Sequence, residues 1–505
     1  MRYDVIVVGA GSAGAPLAAR LSEDPSRSVL LLEDGPDYPN AERLPELLAR
    51  GYHVMAGYED PHVRNYAARA NPQKKEPMLM PSGRAMGGTS AINSSIFLRG
   101  ATQDFDSWAA WGNPEWSYQK VLPCYLRIER DLDFGGDFHN KDGPLPVRRV
   151  PPSQWEPNLR AFHQACLDKG FPEGPDMNLP DAAGVGTYPV SNVGGLRVNT
   201  SMAYLDPARH RLNLTIRSNA LVRRVLLEGD RAIGVEVISH GETFRVYGHE
   251  IVCSAGAFGS PMLLMRSGIG PEDHLAEMGI ETKHHLPGVG RNLRNHPVSG
   301  IIYRDASMEP KDSVLSLVFL RCTASGSDTP HDMSISVDNR WVFDGVPHTR
   351  LSACLEYARG AGRLSLTSSD PLAPPHLEYN YLQDPWDLAR MREGVHLAME
   401  LAESPAMNGL LAQRVAPNDE ELASEESLNQ WILENVTTGH HSSGTCKMGP
   451  AADPMAVVDQ HGRVHGLEGL RVADASIMPD VVRVNPNATC IMIGEKVSDF
   501  MRREA

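Results

Sequence analysis

The chain has 505 residues, 41% hydrophobic and 22% charged, too long for one ordinary core and too apolar for a disordered polymer. A formal net charge of −15 argues against a nucleic-acid partner, which needs a basic face to neutralise phosphate. Seven cysteines without a CxxC pair give no zinc spacing and read as free thiols in a reducing compartment; 45 glycines and 38 prolines predict many turns.

In chain order, residues 4–8 (DVIVV) predict a buried strand that begins almost at the first residue. The run is too short for a signal-peptide core or a membrane span, so cytoplasmic residence is expected, with peripheral membrane contact left open and no integral segment. GAGSAG follows at 9–14, APLAARLSE predicts a helix, and VLLLE at 29–33 a second strand that ends in an acid. This strand–glycine loop–helix–strand order gives the glycines a mechanism. Gly9 permits the tight turn, and Gly11 lets backbone amides reach a pyrophosphate at the helix N-terminus, with Ser12 and Ala13 in the same loop. Gly14 allows close packing of helix on strands. Glu33 can accept from both hydroxyls of an adenosine ribose and would repel a ribose phosphate, which leaves FAD and NAD and excludes NADP. A glycine turn without a ligand is the competing reading.

Further along, residues 221–237 predict a hairpin turning at Glu228-Gly229-Asp230, with Val222, near its start, expected to contact the cofactor. EIVCSAGAFGS at 250–260 reads as strand, glycine turn and helix. SVLSLVFLRC and HDMSISVDNRW show strand-like alternation. A helix is expected over 384–402, capped by Asp384 with Pro385 in its first turn and a core stripe of Leu388, Met391, Val395 and Met399. LRVADAS at 470–476 could bring Asp474 and Ala475 back to the ribityl chain of a flavin, although Asp474 could equally cap a helix. The order of these pieces favours FAD over NAD.

At this point the chain resembles the glucose–methanol–choline (GMC) oxidoreductases over nearly its whole length. The resemblance rests on GAGSAG, GRAMGGTSAINSSIFLRG at 83–100, DFDSWAAWGNPEWSYQKVLPCY at 104–125, GAFGSPMLLMRSGIG at 256–270 and GVGRNL at 288–293. It continues through RLSLTSSDP at 363–371, HSSGTCKMG at 441–449, LRVADASIMP at 470–479 and NPNATCIMIGEK at 485–496. Within the family it is similar to bacterial aryl-alcohol and hydroxymethylfurfural oxidases and to choline-dehydrogenase-like enzymes. The resemblance implies an α/β fold, α+β overall: a Rossmann-type FAD-binding domain with an antiparallel-sheet substrate-binding domain. The first would comprise 1–150, 200–297 and 441–505, the second 151–199 and 298–440.

It also implies that Arg84, Gly87, Gly88, Asn93 and Ser94 wrap the isoalloxazine and pyrophosphate. Some relatives attach FAD through a histidine beside that asparagine; here the position is Ile92, so non-covalent FAD is expected. His441, in HxxGT, matches the catalytic histidine, and Asn487, in NPNATC, matches the second catalytic position, which is His in some members and Asn in others. Alcohol oxidation needs a base for the hydroxyl proton, which suits His441, whereas an asparagine can only orient the hydroxyl. An arbitrary histidine among 19 is more often surface or satisfied core. His440 is expected to line the pocket, and His296, preceded by Asn295 where an acid is commoner, to be structural. No metal is required.

The expected activity is oxidation of a primary or secondary alcohol, with dioxygen or a carrier such as a quinone taking the electrons. A cyanohydrin lyase and a light-driven decarboxylase are the alternatives on the same fold. Few aromatic residues, 6% overall, weigh against a cage for choline.

Overall fold

The structure is a computed structural model that describes residues 2–50, 59–306, 318–343 and 345–504. Its first layer is a parallel sheet in the order Leu214–Arg217, Val29–Leu32, Arg2–Val8, Glu242–Cys253, with Leu470–Val472 pairing beyond Glu242–Cys253. Val29–Leu32 is buried throughout, as expected of a parallel strand covered on both faces. Glu242–Cys253 is long enough to serve two partners. Its end runs parallel to the first strand, while its start pairs antiparallel with Arg231–Ser239, which pairs in turn with Leu221–Glu228. The expected hairpin turns where its residues indicate, with Glu228 opposite Arg231.

Helix Gly14–Leu21 packs beneath this sheet because position 14 is glycine: a Cβ there would lie 2.0 Å from the Gly9 carbonyl oxygen. The C-terminal helix Asn487–Arg503 lies against it at a second close approach, where a Cβ on Gly494 would lie 2.2 Å from Ala13 O. The two ends of the chain thus meet at one place.

The second layer is an antiparallel sheet in the order Leu411–Ala416, Pro297–Asp305, Val346–Leu355, Met333–Phe343, Val318–Cys322, Gly184–Thr187. The strand-like 318–322 and 331–341 therefore fall in it; 313–317 lies outside the described residues. Helix Pro385–Ala402 covers one face. Asp384 caps it by accepting from Trp386 N at 2.8 Å, Met391 and Val395 are buried, and Leu388 and Met399 are partly so. Because side chains alternate across a strand, the opposite face carries Arg321, Ser334, Arg350 and Cys354. A small sheet links 63–83 to 363–378. Among the described residues, no helix is long and apolar enough to cross a membrane.

Candidate active site

One cavity of about 370 Å³ runs from the glycine loop at the edge of the parallel sheet to residues 439–442 and 485–490. At its nucleotide end stand Gly9, Gly11, Ser12, Ala13 and Glu33. Gly14 and Gly87 lie outside its lining and act by packing. Gly87 sits at φ 96° and donates its N–H to Ala10 O at 2.9 Å. Gly88, on the wall, sits at φ 52°, and a Cβ there would lie 2.6 Å from Gly11 Cα. Two glycine backbones therefore meet face to face, which any side chain would prevent.

Glu33 is buried and already bonded. Its Oε2 accepts from Ala10 N and its Oε1 from Gly35 N, both at 2.9 Å, and burial raises its carboxyl to about 7 against two N–H bonds that lower it. Arg84 reaches the cavity while its Nε pairs with Asp34 Oδ2 at 3.0 Å. Val222, Asn93 and Ser94 line the middle. The loop bearing Asn93 is pinned from behind by Arg197, which is fully buried and donates to Asn93 O, Ala91 O, Leu47 O and Arg50 O. Burial lowers this guanidinium to about 9.

Asp474 and Ala475 also stand on the wall. Asp474 proves to be a cap: its Oδ1 accepts from Ser476 N and Oγ at 2.8 and 2.6 Å. Its Oδ2 accepts from Gly256 N at 2.9 Å and Ser260 Oγ at 2.5 Å, tying the C-terminal strand to helix Gly256–Arg266.

The far end brings His440, His441 and Asn485 together. His440 takes a left-handed backbone, φ 63°, between Gly439 and His441. Both rings line the cavity, His440 with an exposed surface and His441 half-buried, in surroundings dense enough to disfavour a charge on either. Burial lowers His440 to about 4, helped by Arg350. His441 is held well below its ordinary value, first by burial, then by His296, while Glu356 opposes.

His441 Nε2 lies 3.0 Å from Asn485 Nδ2, an atom that can only donate, so Nε2 accepts and is free of its own proton. His441 Nδ1 lies 2.7 Å from His296 Nδ1. Asn295 holds the pair by accepting from His296 N and His441 N, both at 2.8 Å.

One expectation is corrected here. Asn487 is not the asparagine beside His441. It is the first residue of helix Asn487–Arg503, and its Oδ1 accepts from Ser12 Oγ at 2.8 Å, at the nucleotide loop. The residue facing His441 is Asn485. The signal was available, because a residue before proline is kept extended and can project from the loop, whereas the residue after Pro486 has entered the helix. His296, expected to be structural, has its ring in contact with His441. Its distance along the chain from HxxGT concealed this.

Comparison with known proteins shows the family. Models of GMC oxidoreductases match residues 3–298 and 358–494. An uncharacterised GMC-type oxidoreductase of Rhodococcus erythropolis is 35% identical over 99% of this chain and 98% of its own length. An oxygen-dependent choline dehydrogenase of Paraburkholderia xenovorans is 36% identical over 100% and 95%. The crystal structure of pyridoxine 4-oxidase from Mesorbium loti superposes with a TM-score of 0.93 at 29% identity, covering 99% of each chain. The chain belongs to the GMC oxidoreductase family. It is an FAD-dependent alcohol oxidoreductase.

The residues present fit FAD. The glycines at 11 and 88 keep side chains out of the loop end of the cavity, Glu33 stands on its wall, and Ser254 Oγ, also on the wall, is buried without a hydrogen-bond partner among the described residues.

Proposed function

We propose that this enzyme oxidises a primary or secondary alcohol with His441 as base and Asn485 as the residue that orients the hydroxyl. The observation that carries the reading is the 3.0 Å approach of Asn485 Nδ2 to His441 Nε2 at the wall of the flavin cavity. When bound, FAD supplies the hydride acceptor. His441 Nε2 takes the hydroxyl proton, which raises electron density on oxygen and loosens the carbinol C–H bond. The Asn485 amide then holds the developing negative oxygen. These surroundings keep His441 unprotonated at neutral pH, ready to act.

Gly9, Gly11, Ser12, Ala13, Glu33, Gly88, Asn93 and Ser94 would hold the cofactor without a covalent link, since Ile92 offers no nucleophile. Asn487 would brace the nucleotide loop through Ser12. Seven free cysteines support residence in the cytoplasm. The electrons pass on to dioxygen or to a carrier such as a quinone.

The test is the visible spectrum of the purified enzyme, recorded anaerobically with benzyl alcohol, 4-methoxybenzyl alcohol, 5-hydroxymethylfurfural, pyridoxine and choline in turn. A yellow spectrum that bleaches with at least one alcohol is expected. Admitting air separates dioxygen from a carrier by how fast the colour returns. A protein that cannot be loaded with FAD contradicts the reading.

A further inference from the structure

Behind the base lies a buried acid that the reaction as described leaves unused. Glu356 follows strand Val346–Leu355, and its Oε2 stands 3.1 Å from His296 Nδ1, the atom that is 2.7 Å from His441 Nδ1. Ser334 Oγ donates to the other carboxylate oxygen at 2.6 Å. Glu356, His296 and Ser334 are all buried. We propose that Glu356 and His296 form a proton relay behind His441, with His296 receiving the proton that His441 Nδ1 releases and Glu356 carrying the counter-charge. The proposal rests on the reading of His441 as base.

The geometry sets the order of events. Asn485 donates to Nε2, so the resting proton of His441 sits on Nδ1 and is directed at His296 Nδ1. As the alcohol O–H breaks, a new N–H forms at His441 Nε2, while FAD, when bound, would supply the hydride acceptor. The Nδ1 proton passes across the 2.7 Å N···N contact to His296 Nδ1, which then faces both His441 Nδ1 and the Glu356 carboxylate. His441 ends neutral with its proton on Nε2, and the positive charge rests on His296 against Glu356. One proton enters the array and one charge is compensated.

Burial and the neighbouring His296 and His440 disfavour a positive charge on His441, and among the described groups acting on that ring Glu356 opposes them. Burial also lowers His296, to about 3, so a proton on its Nδ1 depends on the Glu356 carboxylate 3.1 Å away. The other groups that bear on the array are Arg350, which acts on His440, with Arg321 beside Glu356, Tyr188 and Cys354.

The test follows the anaerobic bleaching rate against pH, using the alcohol of the panel that bleaches fastest. Glu356→Gln keeps the size of the side chain and an acceptor for Ser334. It is expected to move the acid limb of the profile down by about one pH unit or more and to lower the limiting rate about tenfold, with KM unchanged within about twofold. Glu356→Asp, which keeps the charge, should return the limb to its wild-type position whatever its rate. A merely structural role would lower rates without moving the limb, and that result overturns the relay, as does an E356Q profile that matches wild type. His441→Asn separates the two readings. If it bleaches at the wild-type rate, the base assignment fails and the relay with it; if it is inactive while E356Q behaves as wild type, only the relay fails. Histidine ¹⁵N spectra of the resting enzyme, with the His441 and His296 signals identified from H441N and H296N, should show His441 protonated at Nδ1. A proton on Nε2 instead contradicts the proposal.

Discussion

Asn485 and Asn487 stand two residues apart, and their different surroundings give them separable roles. Replacing Asn485 with alanine removes a donor aimed at the reacting oxygen, so the anaerobic bleaching rate should fall by about 10²-fold or more, with flavin retention unchanged. Asn487→Ala loses the bond from Ser12 at the nucleotide loop. It should weaken FAD retention, measured by release on dilution, and lower the bleaching rate far less. The reverse pattern would return the catalytic role to Asn487. Glu33 gives a second expectation at this scale. Burial raises its carboxyl from an ordinary 4.5 to about 7, so the folded, flavin-free protein holds the proton more tightly than the unfolded chain. Its contribution to stability is therefore present below pH 4.5 and lost as pH rises to about 7, a change on the order of 3 kcal/mol. Glu33→Gln should flatten that part of the urea-midpoint profile of the flavin-free protein.

Among the elements, those with a strong local signal were legible from residues alone. The hairpin at Glu228–Arg231 has a turn triplet between β-branched runs, and helix Pro385–Ala402 has its cap, its proline and its apolar stripe. The elements that set the catalytic geometry were not legible in this way. Helix Asn487–Arg503 begins just after a proline, and its approach to Gly14–Leu21 depends on a glycine in its middle, which reads locally as a weakness. A Cβ on Gly494 would lie 2.2 Å from Ala13 O, so Gly494→Ala must push the two helices apart. A loss of about 1–3 kcal/mol is expected in urea unfolding, with poorer flavin retention because the Ser12–Asn487 bond lies at the same junction. Unchanged stability would mean that the helices separate freely.

Across the whole molecule, the cavity joins residues near both ends of the chain, from Val8 to Cys490. A ligand there braces the N-terminal strand, the glycine loop and the C-terminal helix at once. Binding to the folded state alone adds about 2.7 kcal/mol at a ligand concentration 100 times Kd. The loaded enzyme should thus unfold at a higher temperature than the flavin-free form, and acid denaturation should release FAD intact because Ile92 cannot hold it covalently. Flavin that stays with the precipitated chain would contradict this. The cofactor end of the site was legible because its chemistry is local: strand, glycines, helix and acid occur within 33 residues. The catalytic end was only partly so. HxxGT marks His441, but His296 and Glu356 reach it from 145 and 85 residues away, through a sheet register that no local pattern encodes.

The deciding measurement is the rate of anaerobic flavin bleaching by a reactive alcohol in wild type and in His441→Ala, at equal flavin loading and pH 8. A loss of about 10²- to 10⁴-fold is expected for removal of the base. A rate within a few-fold of wild type would show that another group takes the proton.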